Sequence, residues 1–406
     1  MPPFRRLPQR LGALLLGILL PLLFSQPSRP FAPEPFADSA PPNIAAARTA
    51  AVAVEPLAAP PVPAAAPSPS SSDGASLDRR AREAYQSALY ERAASLWQQA
   101  AEAYRLASES LLQAQALSNL ALCQHHLGRA DAADQAIAAS LRLLSSPPLK
   151  ANPAATRTLA QATNTLARLQ LSSGRSLDAS RSWQRAANLY GQAGDQRGVD
   201  AALVNQAEAL QQLGHLRDAR LLLEPLVDRL RLQPPSALRA MAQLSLAATL
   251  QRQGDIPAAL RLQQDSRAIA ASLGSDTILS AAHQAIANSQ RHLGHTAAAL
   301  AQYQQAQRGP TSSLARLQAG SSQLSLLLDT YQYSAAARLW PGLLSAAAVE
   351  PASRAGLEAS FHLASSLLRL RQLGPALPAA DRPDEAAIRS LLNRCLAQAS
   401  ALDDRR

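Results

Sequence analysis

A glycine returns at near-constant spacing along most of this chain: Gly128, Gly174, Gly214, Gly254 and Gly294, at intervals of 46, 40, 40 and 40 residues. Five positions after each glycine stands an alanine: Ala133, Ala179, Ala219, Ala259 and Ala299. A fixed period in this range is the mark of stacked supersecondary units, each too small to bury its own apolar face alone. No sheet fold requires such a rhythm.

The segment from Asp200 to Leu226 shows what one unit contains. Leu203, Ala207 and Leu210 recur at three- and four-residue steps and so share one face of a helix. Gly214 ends that helix, because glycine enters the left-handed region at little steric cost. Leu216, Ala219, Leu223 and Leu226 resume the stripe on a second helix. The link is short, so the two helices are antiparallel neighbours. Ala207 and Ala219 are small where the backbones approach most closely.

The same frame runs through Leu120, Ala121, Gly128, Ala133, Ile137 and Ser140, and through Leu166, Ala167, Gly174, Ala179, Trp183 and Ala186. It continues in Leu246, Ala247, Gly254, Ala259 and Ser266, then in Ile286, Ala287, Gly294, Ala299, Tyr303 and Ala306. An earlier copy keeps Tyr90, Ala93, Trp97 and Ala100, and a later one keeps Tyr333, Ala336, Trp340 and Leu343. This pattern resembles the tetratricopeptide repeat (TPR) family in a long-period variant, near 40 residues instead of about 34. The departures are Ala88 and Tyr331 where glycine is usual, and Gln206 where a large apolar residue is usual. The resemblance implies an all-α fold, a right-handed solenoid of seven to eight antiparallel helix pairs over residues 76–400, followed by a polar tail over 401–406.

The N-terminus is of another kind. Arg5, Arg6 and Arg10 precede an uncharged apolar run from Leu11 to Phe24, a basic segment followed by a hydrophobic one. That run is too short to cross a bilayer as a comfortable helix, which needs about 20 residues. Residues 1–25 therefore read as a signal peptide or an uncleaved signal anchor, and the chain as exported, periplasmic or otherwise extracytoplasmic. Membrane attachment would come only through that anchor. Residues 26–75 are rich in Pro, Ala and Ser, and more than half of the 29 prolines precede Ser76. Such a stretch buries too little to offset its ordering entropy and reads as a disordered spacer.

Chemistry-bearing constellations are scarce. Cys123 and Cys395 stand about six repeats apart, too far to pair within a solenoid. Cys123 and His126 are at ligand spacing on one helix, but two ligands do not make a zinc site, and no HExxH occurs. No GxSxG elbow, phosphate loop or defensible carboxylate pair appears, so neither a catalytic residue nor a cofactor or metal is assigned. The formal charge of +10 is almost entirely arginine and scattered, without the basic stripe and interleaved aromatics of a nucleic-acid protein.

A partner-binding groove remains. In TPR-like solenoids the first helices line the concave face, and this resemblance implies that partner segments lie there. In this frame the inward positions are Asn119, His125, Asn164, Arg168, Asn205, Glu208, Gln212, Ser245, Arg252, Gln284, Asn288 and Arg291. Asparagine both donates to and accepts from a peptide backbone, and arginine pairs with carboxylates. The leading expectation is a non-catalytic scaffold for another protein's segment, with a bias toward acidic ones. The signal segment, spacer and long-period repeats also resemble the regions that precede caspase-like CHAT protease domains in bacterial proteins. That implies a second reading, a regulatory subunit or stand-alone relative of such a protease. A third is an assembly factor for an envelope or photosynthetic membrane complex.

Overall fold

The structure is a computed structural model that describes residues 69–403 apart from 151, 309–311, 351–352, 373–377 and 379–381. The signal segment and residues 26–68 of the spacer lie outside the described residues. Within the described residues every regular element is a helix. They pair as α1 (Pro69–Gln86) with α2 (Tyr90–Leu106) and α3 (Ser110–His126) with α4 (Ala130–Leu144). A short helix α5 (Pro147–Lys150) follows, and its insertion accounts for the one long glycine interval. The pairs resume with α6 (Pro153–Ser172) and α7 (Ser176–Gln192), then α8 (Gln196–Leu213) and α9 (Leu216–Arg231), then α10 (Ala237–Arg252) and α11 (Ile256–Ser272). They end with α12 (Asp276–His292) and α13 (Thr296–Ala306), α14 (Ser313–Asp329) and α15 (Tyr333–Val349), and α16 (Arg354–Gln372) and α17 (Glu385–Asp403). The all-α solenoid of antiparallel pairs is thus the observed architecture. The first helix begins at Pro69, taking in residues that composition assigns to the spacer.

Local chemistry explains the boundaries. The bodies are built from alanine, leucine, glutamine and arginine, which lose little on entering a helix. Asn152, Asp195, Ser236, Asp255 and Ser312 each accept a bond from a backbone N–H in the first turn that follows. Such caps satisfy donors that have no partner inside the helix. Within the pairs, φ at the turn glycines runs from +72° to +92°. Ala88 and Tyr331 adopt the same hand, at +57° and +58°, so the pairs that lack glycine make the same turn with side chains that resist it.

Two layers result. The second helices α4, α7, α9 and α11 bury a single stripe, as in Ala219, Leu223, Leu226, Val227 and Leu230 of α9. The first helices form an inner layer packed against their own partners, the preceding unit's outer helix and the next inner helix. In α3 the residues from Ala114 to Cys123 are buried with the sole exception of Leu117, which is half-buried. Ala207 and Ala219 are both fully buried in one cluster with Leu223 and Leu226, as the close approach of α8 and α9 requires. Leu203 and Leu210 pack at its edge.

Candidate partner-binding face

The inner layer is apolar only in part, and its buried polar groups need partners. Aromatic residues at one phase of the outer helices supply several of them. Trp183 Nε1 donates to Asn164 Oδ1 at 2.7 Å, and the Tyr303 hydroxyl donates to Asn288 Oδ1 at 2.6 Å. Trp97 Nε1 donates to Asp78 Oδ1 at 2.8 Å in the same way. Each bond locks a first helix to the second helix of its own pair. Asn164 and Asn288 are therefore buried fasteners.

The other expected groove residues divide into two groups. Asn119, Asn205, Glu208 and Gln284 are also buried, with Asn119 wholly inaccessible. This corrects the expectation that the asparagines line an open groove. Inner helices touch one another directly, so the positions that a looser stack would expose are covered by the next repeat. His125, Arg168, Gln212, Ser245, Arg252 and Arg291 are only half-buried. Apart from Ser245, these half-buried residues fall in the later turns of inner helices, toward the turns. A cation there meets the negative end of the helix dipole, which favours it by about 0.3–1 kcal/mol.

Contacts between successive repeats are made at this end. Arg252 donates to the backbone carbonyl of Gln211. Gln211 Nε2 donates to Thr249 Oγ1 at 2.8 Å and to the Ser245 carbonyl at 2.9 Å. Gln212 Oε1 accepts from Ser176 Oγ at 2.8 Å. Arg291 Nη2 pairs with Asp329 Oδ2 at 2.6 Å, and Arg369 Nη1 pairs with Asp329 Oδ1 at 2.5 Å. One carboxylate on α14 thereby joins α12 to α16. Asp329 and Arg369 escaped the sequence reading, although a usable signal was present. The opposite charges stand 38 and 40 residues apart, close to one repeat period.

At the N-terminal end, His126 lies in an aromatic nest instead of facing solvent as its place near a turn suggests. Its ring stacks on Tyr90 at 4.3 Å, and Nε2 is 3.0 Å from the Tyr85 hydroxyl. Burial, reinforced by the charge of Arg168, pushes its pKa down to about 4. Burial also pushes the Cys123 thiol up to about 12 and Cys395 up to about 11. Both thiols are free and protonated at neutral pH, the opposite of what a nucleophile or metal ligand needs. Among the described residues no group of three or more His, Cys, Asp or Glu could hold a metal ion, and no helix is long and apolar enough to cross a membrane. This end of the inner layer presents half-buried arginines together with a histidine and an amide.

No family profile and no curated protein matches the sequence. Solved structures do resemble it. The TPR-like repeats of a kinesin light chain from Podosopora anserina share 19% identity, cover 50% of this chain and 97% of their own, and superpose with a TM-score of 0.43. A Rap protein complexed with competence and sporulation factor shares 12%, covers 82% of this chain and 100% of its own, with a TM-score of 0.49. NprR in complex with its cognate peptide NprX shares 13%, covers 79% and 88%, and has the same TM-score of 0.49. The assignment of this fold rests on the helix pairs and their turns, not on these superpositions.

Proposed function

We propose that this protein is a non-catalytic interaction scaffold that holds an acidic segment of another protein along the turn end of its inner helices. The observation that carries this reading is recurrence. Arg168, Arg252, Arg291 and Arg369 come from four different repeats to the same end of the inner layer, each with part of its side chain open to water. Arginine recognises carboxylates with two parallel donors, and the neighbouring His125 and Gln212 add hydrogen bonding without opposing charge. The reading includes export, supported by the basic and apolar N-terminal run.

The test is in-cell crosslinking of the full chain beside a variant with Arg168→Glu, followed by fractionation of the cells. This arginine makes neither the Arg252 clasp nor the Asp329 bridge, so the fold should persist by circular dichroism. A partner captured by the wild type and lost from the variant is the expected result. A partner retained by both would move the binding surface elsewhere, and a cytoplasmic protein would remove export from the proposal.

A further inference from the structure

The cluster around Asp329 has more positive charge than its own chemistry consumes. Arg291 and Arg369 meet one carboxylate, each oxygen taking one guanidinium nitrogen, which leaves a surplus of one positive charge. Arg291 is steadied by Ser325 Oγ at 3.2 Å. Arg369 is about half exposed, and its Nε and Nη2 have no partner among the described residues. The cluster is accessible, since the Asp329 side chain retains 35% of its surface. Burial, reinforced by Arg291 and opposed by Asp329, pushes the pKa of the nearby His362 ring down.

We infer that Arg291 and Arg369 form a carboxylate-binding clamp that Asp329 occupies from within, and that an acidic side chain of a partner polypeptide engages it by exchanging with Asp329. This rests on the scaffold reading above and adds its regulation. The chain itself supplies the template, because a carboxylate already bridges the two guanidiniums at 2.6 and 2.5 Å. An incoming carboxylate would meet the same donors, and a segment with several acidic residues outcompetes the tethered one by drawing also on the free nitrogens of Arg369. At high salt the exchange weakens, as partly exposed ion pairs do.

The experiment is a binding titration of fluorescent tetraglutamate peptide into the full chain. Asp329→Asn keeps the shape but removes the competing charge, and affinity should rise about tenfold. Adding Arg369→Gln to that variant should abolish the gain. Unchanged or weaker binding by a folded Asp329→Asn variant would overturn the clamp and make Asp329 a structural staple. Should that variant not fold, 15N-arginine resonances of the wild type decide instead. Arg291 and Arg369 should shift together as the peptide saturates, and stationary signals would overturn the proposal. Loss of the cellular partner on charge reversal at Arg168 does not depend on Asp329, so masking and groove binding fail separately.

Discussion

Helices α10 and α11 have nearly the same length and belong to one pair, yet they are buried differently. Between Leu238 and Gln251 of α10 only Arg239 and Ser245 reach water in part. In α11 burial falls on one stripe, through Ala259, Leu262, Gln263, Ser266, Ile269 and Ala270. An outer helix meets the protein on one side and needs only an amphipathic pattern. An inner helix such as α10 meets it on most sides, so it carries small residues for close approach, and its buried polar groups draw on the outer helix of their own pair or on a neighbouring repeat. Prolines mark the same division. Pro225 and Pro341 stand inside outer helices α9 and α15 at exposed positions, on the side that faces away from the inner layer.

The contrast breaks most sharply at the anchors that join the layers. Trp183→Ala removes a fully buried indole and strands Asn164 Oδ1 inside the protein. The expected loss is about 3–5 kcal/mol in urea unfolding, and a loss well under half of that would mean the outer layer is held mainly by its aliphatic stripe.

Acid should act next, through the inner helix α3. Folding holds His126 at about 4, below its ordinary value near 6.5. Its contribution is full above about pH 6.5 and is lost as pH falls from there through about 4, amounting to as much as about 3 kcal/mol. His126→Phe keeps a ring against Tyr90 but takes up no proton, so stability should fall less steeply across that window. Parallel stability curves for the two proteins would show that His126 does not carry the acid sensitivity.

The smallest effect expected sharpens the account of polar groups inside. Gln243 is wholly buried, and neither amide atom has a partner in the structure. Gln211, one repeat earlier, bonds both Thr249 and the Ser245 carbonyl. Gln243→Leu should stabilise by about 1 kcal/mol, whereas Gln211→Leu should cost about 1–3 kcal/mol by orphaning its partners. If both substitutions destabilise equally, the inner layer pairs Gln243 in solution as well.

Much of the architecture was legible because it depends on local rules. The turn glycines, the alanines that follow them and the leucine steps each state a constraint that a few neighbouring residues satisfy among themselves. The candidate face was less legible. Arg168, Arg252 and Arg291 were placed on the inner helices from the repeat frame, and the structure has them half-buried there. Asn119, Asn205 and Gln284 were placed on the same helices farther from the turn glycine, and they are buried. Polarity alone does not distinguish an amide that faces water from one that faces the next repeat.

The sequence by itself therefore determined the period, the pairing of helices and the sites where the chain reverses, since these follow from backbone freedom and from apolar residues a few positions apart. Only the tertiary structure decided how closely successive repeats stack. That spacing buries Asn119 and Asn205 and brings Arg291 and Arg369 to the same carboxylate, while packing within one pair joins Trp183 to Asn164. The physical reason is range: a helix is specified over three or four residues, but a contact between repeats is settled by the packing of surfaces some forty residues apart.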